Sequence, residues 1–236
     1  MLMRLERFQV SSDKRKRQEI KVAEDFLDGN LTINSFLEKL GSKEAVPGGG
    51  GAAALSASIG ISLCKMAANL TVGKKKYADV EERMYEIISE CDKLKEEFII
   101  LIQKDAEGFL PLSKAYGLPA ETEEQKKFKE ETLERELVAA AAVPFEIMEK
   151  CAEAIALCAE VAEKGSRLVV SDAACAVNTC NSALKCASLN VYINTKYMKD
   201  TVKACEMNRK ADSIIAGCDE IAENVFNKVV ESLKGK

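Results

Sequence analysis

The segment Val46-Pro47-Gly48-Gly49-Gly50-Gly51 runs directly into Ala52-Ala53-Ala54-Leu55-Ser56-Ala57-Ser58-Ile59-Gly60. Each glycine costs about 1 kcal/mol inside a helix relative to alanine, whereas the residues that follow form helices readily. The composition therefore predicts a glycine loop that opens a nearly uncharged helix over 52–70. Such a loop brings backbone N–H groups and the positive end of a helix dipole close to an anion or a flat ligand. A flexible turn between two helices is the alternative.

The rest of the chain has helical periodicity almost throughout, with no sustained alternation of polar and apolar residues. Small residues recur on successive helical segments and permit close packing of helix axes. The predicted fold is therefore all-α, an antiparallel helical bundle with long helices. The predicted helices cover 13–28, 33–40, 52–70, 79–116, 122–165 and 171–187, with helical pattern continuing to 233. A bend is expected at Pro111, and a bend or a restart at Pro144. Residues 1–30 are predicted to form a helical extension and residues 31–236 one domain.

The overall charge excludes several classes of partner. The chain has 236 residues, with 34 Lys and Arg against 38 Asp and Glu, and the two signs are interspersed. This pattern leaves no broad cationic face for nucleic acid. No uninterrupted apolar run reaches the ~20 residues of a membrane span, and the polar start lacks the apolar core of a signal peptide. The sequence therefore predicts a cytoplasmic protein that binds neither nucleic acid nor membrane.

Cysteine and histidine content limits the possible chemistry. The nine cysteines contain no C-x-x-C pair, and most lie among Ala, Val and Leu, which predicts buried thiols rather than disulfides or metal ligands. The chain has no histidine. A Ser-His-Asp triad, a Cys-His pair and an imidazole metal site are therefore excluded. Proton transfer must depend on carboxylate, Lys, Tyr, Cys or water.

Two polar clusters interrupt the first half of the pattern. The run Lys74-Lys75-Lys76-Tyr77 can hold a polyanion, although a solvated turn is the more common explanation of such a run. Asp105 lies three residues after Ile102 and four before Phe109, which places it at the margin of a buried helix face. Desolvation there would raise the pKa of Asp105 and suit it to proton transfer. A surface carboxylate is the alternative.

A third cluster lies in the second half of the chain. Ser171-Asp172 has the form of an N-cap followed by an acid in the first turn of a helix, which is its structural interpretation. Asn190 and Asn194 are four residues apart on one helix face, among apolar neighbours. Because an unpaired buried amide is costly, these side chains either join helices or bind a ligand.

Taken together, these motifs resemble the cyclodeaminase family of folate enzymes, which includes the C-terminal part of formiminotransferase-cyclodeaminase and free-standing bacterial methenyltetrahydrofolate cyclohydrolases. The matching motifs are collinear from about Ile33 to Asp200. They are Phe36-Leu37, Pro47-Gly48-Gly49-Gly50, Met66-Ala67-Ala68-Asn69-Leu70-Thr71, Gly73-Lys74-Lys75-Lys76-Tyr77, Lys104-Asp105-Ala106-Glu107, Leu118-Pro119, Val143-Pro144, Ser171-Asp172 and Leu189-Asn190-Val191-Tyr192-Ile193-Asn194.

The resemblance implies a homodimer with its folate cleft in or beside the subunit interface. It also implies chemistry at the one-carbon unit that bridges two nitrogens of tetrahydrofolate, without a metal or a redox cofactor. The hypothesis that follows makes Asp105 and Asp172 the acid and base. The folate-binding residues on this interpretation are Pro47, Gly48, Gly49, Gly50, Lys74, Lys75, Lys76, Tyr77, Ser171, Asn190 and Asn194. Among them, the lysines attract the glutamate tail, and the asparagines orient the pterin or polarise the reacting centre.

Three functions remain open at this stage. Hydrolysis of 5,10-methenyltetrahydrofolate to 10-formyltetrahydrofolate is favoured because the chain has no formiminotransferase domain to supply a formimino substrate. Cyclodeaminase activity, which closes 5-formiminotetrahydrofolate to the methenyl compound and releases ammonia, is the second. The third is a non-catalytic folate-binding dimer, since Val46, Gly51, Ala120 and Ser166 depart from the residues usual in the family.

Overall fold

The computed structural model of the chain describes residues 32–235. Within them there is no β-strand, so the prediction of an all-α fold is confirmed. The predicted helix over 13–28 and the extension over 1–30 lie outside the described residues. Short 3-10 turns at Lys75–Tyr77 and Arg167–Val169 precede the third and fifth helices. The α-helices are α1 (Ile33–Leu40), α2 (Gly49–Asn69), α3 (Glu81–Tyr116), α4 (Glu123–Lys164), α5 (Val170–Thr195) and α6 (Thr201–Leu233).

The chain divides into two compact units, with the boundary between Glu44 and Ala45. The predicted boundary at residue 30 lies inside the first unit. The described part of that unit is α1 with its N-cap and the turn after it. Thr32 caps α1 as expected, and its Oγ1 accepts a hydrogen bond from the Ser35 N–H at 3.2 Å. The second unit contains α2 to α6 and all of the polar clusters discussed below.

Helices α2 and α5 pack closely together in opposite directions. Gly49, at the start of α2, lies beside Asn190 near the end of α5, and Gly60 lies beside Cys180 in the middle of α5. Just beyond the end of α2, the Oγ1 of Thr71 accepts a hydrogen bond from the Ser166 N–H before α5 begins. These three contacts show that the two helices are antiparallel along their whole length.

Helix α2 also packs against α3 and α4, and its inward face is built mainly of small residues. Ala54, Ala57, Ile61 and Cys64 are fully buried there. Among the described helices, α2 alone is long and apolar enough to cross a membrane. Of its apolar 18-residue stretch, 56% is buried inside the protein. The apolar inward side of α2 is therefore part of the protein core.

All nine cysteines are described, and each is a free thiol. The prediction of buried thiols is confirmed for six of them, and the other three lie on the surface of α5 and α6. Cys91, Cys64, Cys158 and Cys180 come from four different helices and are within hydrogen-bonding reach of one another in that order. They therefore serve as small apolar residues at the centre of the bundle. The buried thiols are Cys64, Cys91, Cys151, Cys158, Cys180 and Cys218, and the exposed ones are Cys175, Cys186 and Cys205.

Several predicted helix boundaries differ from the structure. The glycine run is not wholly a loop, because α2 begins at Gly49 and takes three glycines into its first turn. Pro144 does not restart a helix, since α4 is continuous from its capping box at Thr122 and Gln125 to Lys164. Ser171 is not an N-cap, because α5 begins one residue earlier at Val170. Helix propensity did not predict that α2 begins at Gly49, because packing against other helices requires residues without a side chain there.

We expect Gly60→Ala to destabilise the fold by about 1–3 kcal/mol, because the new Cβ would overpack the contact between α2 and α5. An alanine Cβ at position 60 would lie 2.5 Å from the Cys180 Sγ and 3.2 Å from the Ala176 carbonyl oxygen. Gly217→Ala is the matched control, since nothing lies within 4 Å of a Cβ there. It should stabilise α6 by about 0.5–1 kcal/mol, as expected for an exposed helix interior. Equal effects of the two substitutions in urea unfolding would contradict the close-packing argument.

Candidate functional site

The first turn of α2 is capped by a carboxylate from another helix. Gly48, at the N-cap position, has no side chain that could satisfy the free N–H groups of the turn. Instead, the Gly51 N–H donates a hydrogen bond of 2.9 Å to the Oδ2 of Asp105 in the middle of α3. A Cβ at position 50 would overlap this carboxylate. Gly50 is therefore required because Asp105 occupies the space where a side chain would stand.

Burial of Asp105 changes its acidity. Desolvation raises the pKa of its carboxyl group from 3.8 to about 6, although the hydrogen bond from the Gly51 N–H acts in the opposite direction. The neighbouring Lys104 does not counter this effect with an ion pair, because its Nζ binds Glu146 on α4 at 3.1 Å. Asp105 therefore changes protonation state close to neutral pH, as an acid or base in catalysis requires.

The two asparagines of α5 lie beside this turn and have different roles. The Nδ2 of Asn194 donates to the carbonyl oxygens of Ala140 on α4, at 3.2 Å, and of Asn190, at 2.8 Å. Asn194 therefore joins two helices. The amide of Asn190 lies over the start of α2, where a Cβ at Gly49 would be 3.0 Å from both its Nδ2 and its Oδ1. Asn190 is the polar group of α5 closest to the glycine turn.

A small cavity opens between these groups. Its volume is about 140 Å³. Its polar wall contains Asp105, Asn190 and Asn194, and the apolar side chains come from α3, α4, α5 and the segment before α2. Pockets for whole drug-sized ligands usually measure about 300–1,000 Å³, so this cavity has room for one end of a ligand of folate size. The lining residues are Ala45, Val46, Gly48, Gly49, Asp105, Phe109, Ala140, Pro144, Asn190, Ile193 and Asn194.

A second polar cluster surrounds the basic turn that follows α2. The Nζ of Lys74 donates to the Oγ of Ser166 at 2.9 Å, and the Arg167 N–H donates to the Oη of Tyr77 at 3.0 Å. The hydrogen bond from the Arg167 amide lowers the pKa of Tyr77. Lys75 and Lys76 are exposed beside it. The turn is thus held in place by hydrogen bonds rather than freely solvated, and it presents several cations on one surface.

The two clusters lie at opposite ends of the second unit. Helix α2 has 21 residues and separates the glycine turn from the basic turn by ~30 Å. Asp172 stands in the first turn of α5, at the basic end, ~27 Å along that helix from Asn190. One chain therefore brings Asp105, Asn190, Asn194 and the glycines together, and it does not bring Asp172, Ser171 or the basic turn to them. Within one chain, the predicted pairing of Asp105 with Asp172 as acid and base has no support from the geometry.

Some residues of both clusters were not among the predicted site residues. Thr71, Ser166 and Arg167 organise the basic end, and Phe109 and Ile193 line the cavity. For Ser166 and Arg167 the available signal was their position directly after Gly165, which ends α4. Three of the departures from the family pattern lie in these clusters: Val46 lines the cavity, Gly51 donates to Asp105, and Ser166 accepts from Lys74.

Comparison with known proteins places the chain in a family. Residues 32–213 match the family described as formiminotransferase-cyclodeaminase. The chain is 38% identical over 201 residues to a protein of Methylorubrum extorquens named methenyltetrahydrofolate cyclohydrolase, and the match covers 85% of this chain and 97% of that protein. It is 27% identical over 186 residues to the mouse formimidoyltransferase-cyclodeaminase, of which the match covers 34%.

A solved structure shares the fold. The crystal structure of formiminotetrahydrofolate cyclodeaminase from Thermotoga maritima superimposes with a TM-score of 0.73 at 25% sequence identity. The superposition covers 86% of this chain and 98% of that one. The helical arrangement that supports both polar clusters is therefore a known arrangement.

We expect the stability of the protein to depend on the charge of Asp105. Because the pKa of Asp105 in the folded protein is about 6 and its ordinary value is 3.8, ionisation of Asp105 costs free energy. The stabilisation that protonated Asp105 contributes is complete below pH 3.8, and it is lost as the pH rises through about 6. The free energy of unfolding of the natural protein should therefore fall relative to that of Asp105→Asn by about 2–3 kcal/mol over this interval.

Urea unfolding of both proteins at about pH 4 and about pH 7 measures this difference. A difference between the two proteins that is the same at both pH values would show that Asp105 keeps an ordinary pKa in the folded protein.

Proposed function

The chain belongs to the formiminotransferase-cyclodeaminase family, and we propose that it is an enzyme that hydrolyses 5,10-methenyltetrahydrofolate to 10-formyltetrahydrofolate. The observation that carries this proposal is the buried Asp105 carboxylate at the wall of a small cavity, with a pKa of about 6. The name of the Methylorubrum relative, which matches along nearly its whole length, supports the same reaction. A cytoplasmic location remains part of the proposal.

The reaction needs a group that accepts and returns protons. Asp105 as a carboxylate takes a proton from water while the water oxygen bonds to the methenyl carbon, and the π electrons of the carbon–nitrogen double bond move to nitrogen. The resulting tetrahedral carbon then loses its bond to N5. Asp105, now protonated, supplies the proton that N5 acquires, while the hydroxyl oxygen gives its proton to water and forms the carbonyl bond of the formyl group, which remains on N10. A carboxyl group with a pKa near neutrality can perform both transfers.

The cavity also suits the charge of the substrate. The methenyl bridge is cationic, so an ionised Asp105 attracts it in a partly desolvated setting where such attraction is strong. Asn190 lines the same cavity and supplies an amide to the pterin edge or to the oxygen that develops on the tetrahedral carbon. These steps use only water and side chains, and the proposal includes no metal or redox cofactor.

On this proposal, the predicted folate-binding residues of the basic turn can reach the ligand only from a second subunit. Lys74, Lys75 and Lys76 lie too far from Asp105 within one chain to hold the tail of a ligand whose head is in the cavity. We therefore include in the proposal that the protein is a homodimer and that the glutamate tail reaches the basic turn of the other copy. Asp172 and Ser171 stand at that same end and join the site in the same way.

Cyclodeaminase activity is the second candidate. The structure shared with the Thermotoga enzyme and the sequence shared with the mouse protein favour it, because both are named for that reaction. It also passes through a tetrahedral carbon between nitrogens, and Asp105 would then return its proton to departing ammonia.

The decisive measurement is turnover of the two folates by the purified protein. Loss of the near-ultraviolet absorbance of 5,10-methenyltetrahydrofolate above the uncatalysed rate establishes the hydrolase. Release of ammonia from 5-formiminotetrahydrofolate, with appearance of that absorbance, establishes the cyclodeaminase. Binding of either folate without turnover would show a non-catalytic folate-binding protein and would overturn the catalytic proposal.

We expect Asp105→Asn to lower kcat by about 10²–10⁴-fold, because the amide keeps the shape of the carboxyl group and cannot transfer its proton. Folate binding should persist in this variant. In the natural protein kcat/KM should rise with pH up to about 6, as Asp105 ionises, and then level off. Turnover by Asp105→Asn within a factor of about two of the natural rate would remove Asp105 from the chemistry.

A further inference from the structure

Helix α4 contains a proline that leaves a buried carbonyl group without its helical donor. Pro144 lies in the interior of α4, and the helix continues through it to Lys164. Because proline has no backbone N–H, the carbonyl four residues earlier loses its ordinary hydrogen bond. That carbonyl belongs to Ala140, which is only 6% exposed. A buried carbonyl without a donor is costly, so this position of α4 requires a donor from elsewhere.

Asn194 on α5 supplies that donor. The Nδ2 of an asparagine carries two hydrogens. Asn194 donates to the Ala140 carbonyl at 3.2 Å and to the Asn190 carbonyl, one turn back in α5, at 2.8 Å. Both hydrogens are therefore used by the protein. The opposite orientation of the amide would place its Oδ1 against two carbonyl oxygens, so these two acceptors fix which way the side chain faces.

The remaining polar atom of this side chain, Oδ1, is accessible to a ligand. Asn194 is 8% exposed and lines the cavity that contains Asp105. Within residues 32–235 no group donates to this Oδ1, and the atom is not closed off from solvent. Because the rest of the side chain is buried, the cavity is the route by which Oδ1 reaches solvent. Asn194 therefore presents a fixed hydrogen-bond acceptor to whatever enters the cavity.

The polar wall of the cavity consists mainly of acceptors. An ionised Asp105 accepts only, and Asn194 has no hydrogen left to donate. Asn190 uses one of its two Nδ2 hydrogens on the Cys186 carbonyl at 2.9 Å. Such a wall suits a ligand end that carries N–H groups and disfavours one that carries carboxylates. In a folate the pterin has the N–H groups and the glutamate has the carboxylates.

We propose that Pro144 is a positioning residue for substrate recognition. By withholding an N–H from α4, it frees the Ala140 carbonyl to hold the Asn194 amide, so that Oδ1 faces the cavity and accepts a hydrogen bond from the 2-amino group of the pterin. The methenyl bridge lies at Asp105, and an acceptor on another helix meets the far end of the ring, where the amino group stands. The identity of the ligand rests on the proposed function, whereas the link between Pro144 and Asn194 does not.

The link is tested by unfolding in urea, without ligand. Asn194→Leu should lower the urea midpoint, because it leaves the Ala140 carbonyl without a donor. In a Pro144→Ala background the same change should lower the midpoint by no more than about half as much, because the new N–H at position 144 satisfies that carbonyl. Equal losses in the two backgrounds would overturn the link.

Pro111 provides the matched control. It also lies inside a helix, α3, and the carbonyl that it frees belongs to Glu107, an exposed residue that does not line the cavity. In a Pro111→Ala background Asn194→Leu should cost as much as it does in the natural chain. A reduced cost in this background would show that any helix-interior proline has the effect, which would also overturn the link.

Recognition is tested by binding of two ligands in an Asp105→Asn background, which separates binding from turnover. The ligands are 5,10-methenyltetrahydrofolate and its 2-desamino-2-methyl analogue, which has a methyl group in place of the amino group. The analogue should bind roughly 10-fold or more weakly, because it leaves the Asn194 Oδ1 without a donor. With Asn194→Leu added, the two ligands should bind within about twofold of each other.

Pro144→Ala should also reduce this ratio of affinities, whereas Pro111→Ala should leave it unchanged. Loss of the proline ring from the cavity wall would weaken both ligands alike, so the ratio separates positioning from simple contact. A ratio that is the same with Asn194 and with Asn194→Leu would overturn the assigned contact. A ratio that Pro144→Ala leaves unchanged would overturn the positioning role.

These outcomes also separate this proposal from the proposed function. Discrimination that depends on Asn194 and Pro144, in a natural chain that turns over neither folate, supports the recognition and refutes the catalysis. Hydrolysis of the methenyl compound by a natural chain whose discrimination does not depend on Asn194 supports the catalysis and refutes the recognition.

Discussion

The close approach of α2 to its neighbours is the constraint on which the site depends. At Gly60 the absence of a Cβ lets α5 pass within contact of the α2 backbone, and at Gly50 it leaves room for the carboxylate of Asp105. That carboxylate in turn satisfies the Gly51 N–H, for which Gly48 at the N-cap has no side chain to act as acceptor. The helix end, the buried charge and the cavity beside them are thus one arrangement, and a side chain at Gly50 would disturb all three.

Much of the fold could be predicted from local sequence, because caps and breakers act locally. Thr32, the Thr122 and Gln125 capping box and Gly165 mark helix ends where the sequence indicated them. The start of α2 was misplaced because propensity treats glycine as a helix breaker, whereas here the first turn is fixed by Asp105, 54 residues away. Of the two outcomes expected at Pro144, the restart is wrong, because α4 continues through it to Lys164.

The candidate site was predictable in its residue types and not in its layout. The margin position of Asp105 between Ile102 and Phe109 indicated a carboxyl group with a raised pKa, and the structure bears out that expectation. Nothing in the sequence gives the distance between Asp105 and Asp172, because that distance depends on the antiparallel packing of α2 and α5. In a chain without histidine, burial of one carboxyl group supplies the near-neutral pKa that imidazole provides elsewhere.

The hydrogen bond between Gly51 and Asp105 has a spectroscopic consequence. The backbone amide that donates to Oδ2 feels the charge of the carboxylate directly, so its proton resonance should shift as Asp105 gains or loses a proton. Glycine amides occupy a sparsely populated region of a two-dimensional nitrogen–proton spectrum. The protein therefore contains its own label, in the first turn of a core helix, from which the charge state of a buried acid can be read without altering any residue.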